Sequence, residues 1–156
     1  MTMSLPSGYH HSLLVRFHEV DSMQVVHHSQ YLIWLESTRW AFARDVLGIG
    51  PGDFDAMGFH LPVVRAQLDY VDPANLESEI VVVMHYLLQE KTLVTFKYRA
   101  YDTKTGKLVL RARTDHGLVS NTTKKLLVQW PARWQETLGQ AIEQHPEYFE
   151  QDVVRK

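Results

Sequence analysis

The sequence predicts an α+β domain, one long helix laid against an antiparallel sheet. Three observations lead there. Tyr31, Trp34, Leu35, Thr38, Phe42 and Val46 recur at the three- and four-residue steps of one helix face. From Phe59 onward the apolar period changes to two, the period of a strand. The links between the later apolar runs are short, and short links force antiparallel pairing.

Taken in order, Ser12 to Glu19 reads as a first strand, with Leu14 and Val15 apolar and Arg16, His18 and Glu19 polar. A short irregular link leads into the helix, which Gly48, Gly50 and Pro51 close. Gly48 to Gly58 reads as loop. In Leu61 to Val71, Val64, Ala66, Leu68 and Tyr70 share one face and Arg65, Gln67 and Asp69 the other, a strand with one wet or partner-facing side. Asp72 to Asn75 is a turn. Glu79 to Leu88 is apolar on both parities, as in a central strand buried on both faces. Leu93 to Tyr101 alternates again, Asp102 to Gly106 is a hairpin loop, and Lys107 to Ser120 is a long last strand. Leu126 to Val128 is a candidate short strand, and Pro131 starts a final helix with Trp134, Leu138, Ala141 and Ile142 on one face. Trp34, Trp40 and Phe42 are expected to fill a sheet that curls around the long helix.

Composition bounds the chemistry. The 156 residues suit one domain. We draw it at 12–145, with a flexible N-terminus at 1–11 and a C-terminal tail at 146–156. There is no cysteine, so disulfides, thiolate zinc sites and a Cys nucleophile are excluded. That usage fits a reducing compartment, and the expected location is the cytoplasm. A formal charge of -2 offers nothing to a polyanion, so no nucleic-acid partner is expected. No apolar run approaches the roughly 20 residues of a membrane span, and the first residues lack the basic and apolar regions of a signal peptide.

Asp21 is the residue with most chemical promise. It stands just ahead of a buried helix, whose N-terminus offers unpaired N–H groups and positive potential. One reading is a turn or capping carboxylate. The other is a general base or nucleophile beside donors able to hold an oxyanion. His27 and His28 are sequence neighbours whose side chains diverge, which is poor metal geometry, and no HExxH is present, so no metal site is expected. At His28 the backbone N–H matters more than the imidazole. His85 and His116 fall in strands and suit core or interface packing. No serine lies in a G-x-S-x-G elbow, and the glycines form neither a dinucleotide fingerprint nor a P-loop. Lys91 and other basic residues near strand ends are ordinary surface, or hold a phosphorylated ligand.

Two stretches carry a family resemblance. Phe17-His18-Glu19-Val20-Asp21 followed by Val25-Val26-His27-His28-Ser29-Gln30-Tyr31 resembles the acidic-x-Asp, Val-Val and helix-opening Tyr motif of acyl-CoA thioesterases of the 4-hydroxybenzoyl-CoA thioesterase type. Val63 to Tyr70 with Pro73-Ala74 resembles their second strand. The likeness runs from about Ser12 to Ser120. It implies a hotdog fold, a curved antiparallel sheet wrapped around a central helix. It also implies a homodimer or homotetramer with active sites at the dimer interface. The implied substrate is an acyl-CoA, hydrolysed to a carboxylic acid and free CoA, with no cofactor. The resemblance makes Asp21 the catalytic carboxylate and the His28 N–H the group that polarises the thioester carbonyl. Tyr31 and Val64 are implied to line the substrate site, and Lys91 and Thr92 to meet the CoA moiety. The alternatives are an acyl carrier protein thioesterase and a non-catalytic acyl-CoA-binding dimer. One departure stands out: the family link after the Asp contains Gly, whereas here it is Ser22-Met23-Gln24. Losing that Gly removes backbone freedom beside the carbonyl site.

Overall fold

A computed structural model describes residues 3–153; residues 1–2 of the expected flexible end and 154–156 of the expected tail lie outside them. Strand β1 (Tyr9–Leu14) leads through a single 3-10 turn, Phe17–Glu19, towards helix α1 (Gln30–Phe42), which continues as a wider turn over Ala43–Leu47. Helix α2 (Pro51–Met57) and the short strand β2 (Phe59–His60) follow. The long strands are β3 (Val63–Tyr70), β4 (Glu79–Leu88), β5 (Leu93–Asp102) and β6 (Lys107–Gly117). Strand β7 (Val119–Ser120), helix α3 (Ala132–Gln144) and strand β8 (Phe149–Gln151) end the chain.

The main sheet has the order β1-β4-β5-β6-β3, antiparallel throughout, with β8 added parallel to the second half of β4. A two-stranded sheet pairs β2 with β7. Helix α1 lies against the curved main sheet. Its buried face carries Tyr31, Trp34, Leu35, Thr38, Ala41 and Phe42, the stripe expected from the periodicity with Ala41 added and Val46 removed: the wider turn shifts the register, so that Leu47 is buried and Val46 only half-buried. Opposite it lie Phe96, Tyr98 and Ala100 of β5 and Leu110 and Ala112 of β6. Strand β4, which runs between β5 on one side and β1 and β8 on the other, is buried on both parities from Val82 to Leu87.

Several expectations are corrected. Trp40 is 40% exposed and packs at right angles to the Phe54 ring, so it is not core filling. Helix α1 is apolar on more than one side, and periodicity does not say which side the sheet takes. The Gly48 to Gly58 stretch contains a helix: Pro51 occupies its first turn, and Gly58 ends it in the left-handed region. Strand β1 starts at Tyr9, ahead of the Ser12 boundary. The buried Tyr9 ring packs edge-on against Phe42, and its hydroxyl donates to Asp45 Oδ2 at 2.7 Å. The expected long last strand is two, β6 and β7, and Leu126 makes only an isolated bridge with Val119. Strand β8 arises within the stretch drawn as tail, where Phe149 packs against Tyr86 and Phe42.

Strand β3 is one edge of the sheet, and only Leu68 along it is even partly buried. The alternation seen in its sequence therefore has no covered side within one chain. Val63, Val64, Tyr70 and Val71 all stand exposed there.

Candidate active site

The chain leaves β1 at the buried Val15 and turns through Phe17–Glu19, closed by the Glu19 N–H donating to the Arg16 carbonyl at 2.9 Å. It then forms a small hairpin held by an isolated bridge, Val20 to Val26, with a second bridge from Val25 to Asn75. Asp21 is the first residue of the turn and organises all of it. Its N–H donates to the Val25 carbonyl and its carbonyl accepts from the Gln24 N–H, each at 2.9 Å. Its Oδ1 accepts from the N–H groups of Met23 at 2.8 Å and Val25 at 3.3 Å. Oδ2 makes no hydrogen bond among the described residues. The turn reading and the catalytic reading of Asp21 are thus compatible: one oxygen is pinned, and the other is left for chemistry.

The Ser22-Met23-Gln24 link has one unusual torsion. Gln24 has φ 62, in the left-handed region where Gly is favoured. The Ser22-Met23-Gln24 link thus contains a left-handed residue although it contains no glycine.

The hairpin delivers the helix start. The His27 N–H donates to the Glu19 carbonyl at 2.9 Å, and the Gln30 N–H to the His27 carbonyl at 2.9 Å. The His27 Nδ1 accepts from the Ser29 N–H at 3.2 Å and contacts Ser29 Oγ at 2.7 Å. The His28 N–H has no partner among the described residues, and the His28 side chain is exposed; its ring lies 4.2 Å from that of His27, so the two side chains do not diverge as expected. Its carbonyl accepts from the Tyr70 hydroxyl at 3.1 Å, tying the helix start to the end of β3.

Tyr31 sits behind this surface. It is buried, with its ring 4.7 Å from Trp34 and edge-on to Tyr70 at 5.2 Å. Burial pushes its phenol above the usual range, and a hydrogen bond with the Ala74 backbone works against that. The Ala74 carbonyl accepts the Val26 N–H at 2.8 Å, so Ala74 braces both the hairpin and the first helical turn.

Asp21, His28 and Tyr31 therefore share one end of the domain. Val64 lies at the opposite end of β3 from Tyr70, beside an irregularity in the β3–β6 pairing. Lys91 and Thr92 stand in the β4–β5 turn, where Thr92 Oγ1 donates to the Val128 carbonyl at 2.9 Å. The Asp21 hairpin adjoins Ala74 and Asn75, before β4 begins, and β4 has 10 residues. A strand of that length spans about 30 Å. One chain does not bring Val64, Lys91 or Thr92 to Asp21. Sequence reasoning missed Tyr70 and Glu19 as parts of this end. Tyr70 carried a weak signal, since it closes the apolar parity of β3; the Glu19 contact carried none beyond its place in the motif.

A family model described as "Thioesterase-like superfamily" matches residues 15–142. The chain belongs to that superfamily. It is 31% identical over 115 residues to "Putative acyl-CoA thioesterase YneP" of Bacillus subtilis (strain 168), covering 71% of this chain and 79% of that protein. Among solved structures, a 1,4-dihydroxy-2-naphthoyl-CoA thioesterase from Synechocystis superposes with a TM-score of 0.75 at 20% identity, over 84% of this chain and 95% of that one. A Staphylococcus aureus protein solved in complex with CoA superposes with a TM-score of 0.76 at 11% identity, over 98% and 93% of the two chains. At these identities the two structures speak for the fold, which is the hotdog fold expected from the sequence.

Proposed function

We propose that this protein is an acyl-CoA thioesterase of the 4-hydroxybenzoyl-CoA thioesterase type. It takes an acyl-CoA and water to a carboxylic acid and free CoA. The observation that carries the site assignment is the turn at Asp21: Oδ1 is held by two backbone N–H groups, while Oδ2 is free. The unpaired His28 N–H stands at the start of α1, where the helix adds positive potential.

In this reading the thioester carbonyl oxygen accepts from the His28 N–H, which stabilises the charge that develops there. Asp21 Oδ2 either takes a proton from the attacking water or attacks the carbonyl carbon itself. In the second route a mixed anhydride forms, CoA leaves as the thiolate, and water then opens the anhydride to regenerate the carboxylate. Both routes give the same products. The Staphylococcus aureus relative solved with CoA supports CoA as the thiol carrier.

The exposed β3 edge supports a dimer formed by pairing two copies of β3. In such a two-fold pairing the two strands run antiparallel, so the Val64 end of the partner's β3 lies towards the Tyr70 end of this chain's β3. Val64, which one chain holds away from Asp21, then joins the site from across the interface. The absence of cysteine suits a cytoplasmic protein.

The test is steady-state hydrolysis of an acyl-CoA chain-length panel, with thiol release as readout, by the wild type and Asp21→Asn. Asn retains an Oδ1 that accepts from Met23 and Val25, so the turn survives while the base is lost. kcat is expected to fall by about 10²–10⁴-fold. A folded Asp21→Asn protein with wild-type kcat would refute the assignment. Running acyl carrier protein substrates beside the panel separates the two thioesterase classes.

A further inference from the structure

Glu19 is a carboxylate that neither the fold nor the proposed chemistry accounts for. It is 6% exposed, and no ion pair reaches it among the described residues. Burying an ionisable group without a countercharge is costly, and an apolar side chain of similar size would fill the space at less cost. What an apolar side chain could not do is accept hydrogen bonds. Glu19 Oε1 accepts from the Arg16 N–H at 2.7 Å, and Oε2 accepts from the Trp34 indole N–H at 2.8 Å. Its backbone carbonyl takes the His27 N–H at 2.9 Å.

These three bonds join the exit of β1, the second strand of the hairpin and the buried face of α1. They also bracket the site. Asp21 follows Glu19 by one intervening residue, and His28 follows His27. On its other side the hairpin is held by the buried Val26, whose N–H donates to the Ala74 carbonyl, and by the bridge from Val25 to Asn75; only the Glu19 bonds tie it to β1 and to the buried face of α1. We infer that Glu19, through Trp34, is a positioning residue that sets Asp21 against the His28 N–H. This rests on the catalytic reading of Asp21. Glu19 touches no substrate in it; a carboxylate is required because two donors arrive on two different oxygens. Glutamine cannot meet both, because its NH2 would face one donor with another.

The experiment measures kcat, KM, thermal melting and amide hydrogen exchange for Glu19→Gln, Trp34→Phe and the double variant, with Leu35→Ala as a control. Leu35 is fully buried on the same helix and lies outside the site. Small misplacements of reacting groups are costly, so kcat is expected to fall about 10–100-fold in Glu19→Gln, with KM within about twofold. Exchange should accelerate at the His27 and Gln24 amides while mid-helix α1 amides keep their protection. The double variant should lose no more kcat than the worse single, because both changes cut one link. Leu35→Ala should lower the melting temperature and leave kcat of the folded protein near wild type.

Folded Glu19→Gln and Trp34→Phe proteins that both keep wild-type kcat would overturn the inference. Uniformly faster exchange along α1, with kcat tracking only the folded fraction, would also overturn it. If Glu19→Gln does not fold, Trp34→Phe decides alone, and its wild-type kcat would count against the inference. The two readings fail separately. An active Asp21→Asn enzyme removes the catalytic assignment, whereas an inactive one beside fully active Glu19 and Trp34 variants removes only the positioning role.

Discussion

Gln24→Gly should make the protein more stable. Gln24 holds φ 62 in the turn that Asp21 organises, and its N–H donates to the Asp21 carbonyl at 2.9 Å. An L-residue with a side chain costs roughly 1–2 kcal/mol in the left-handed region. Glycine removes that strain but brings back about 0.5–1 kcal/mol of chain entropy in the unfolded state. The Gln24 side chain is exposed, so little packing is lost with it. The net gain is about 0.5–1 kcal/mol, which for a chain of this size raises Tm by about 1–4 °C. Differential scanning calorimetry of wild type, Gln24→Gly and Gln24→Ala reads it directly. The Ala variant keeps the Cβ and should show none of the gain. Lys124 supplies an internal control, since it has φ 60 in the exposed Ser120–Lys125 turn, away from the site. Lys124→Gly should raise Tm by a similar amount and leave kcat unchanged. A Gln24→Gly protein that melts below wild type, or a Gln24→Ala protein that gains as much, would refute the strain argument.

Three other expectations follow. Burial drives the His116 imidazole down to about 4, with the Arg39 charge acting in the same direction. The folded chain thus binds a proton later than the unfolded one, and His116 contributes stability at neutral pH that is lost as pH falls from about 6.5 to about 4. Urea midpoints measured across that window should fall less steeply towards acid for His116→Gln than for wild type; parallel curves would remove His116 as a source. Light scattering at micromolar concentration should give a dimer or a dimer of dimers, and a monomer would sink both the β3 pairing and a shared site. If Lys91 meets CoA phosphates, Lys91→Glu should raise KM several-fold with little change in kcat, because such contacts serve ground and transition states alike. An unchanged KM would remove Lys91 from the site.

What the sequence revealed follows the range of the interactions. The α1 stripe and the double-sided burial of β4 are written in nearest-neighbour periodicity, and both stand in the structure. Trp40 misleads because periodicity finds an apolar residue without saying which flank of the helix the sheet covers. Helix α2 was hidden because Pro51 and Gly58 punctuate a helix at its two ends as readily as they mark a loop. Strand β8 depends on a parallel pairing with Tyr86–Leu88, remote in sequence, and three residues carry no period of their own. The site divides in the same way. Asp21 and the helix start share one short motif and could be read together. The Trp34–Glu19 and Tyr70–His28 hydrogen bonds cross 15 and 42 residues of chain, and nothing local announces them.

The strain at Gln24 and the bonds around Asp21 belong to one device. A left-handed non-glycine residue persists only where its surroundings over-determine the backbone. Here Asp21 supplies that determination through its N–H, its carbonyl and its Oδ1. The same Oδ1 contacts hold the carboxylate in one orientation and so direct Oδ2 away from the turn. Removing the side chain altogether would release the Met23 and Val25 N–H groups and, with them, the constraint on Gln24. An Asp21→Ala protein would then lose activity through a rearranged turn as well as through the missing base, and its rate would not report the chemistry. Asp21→Asn leaves the acceptor in place and withdraws only the charge and the base. A fall in kcat in that variant, with Tm and the exchange of the Met23 and Val25 amides unchanged, therefore belongs to Oδ2 chemistry alone.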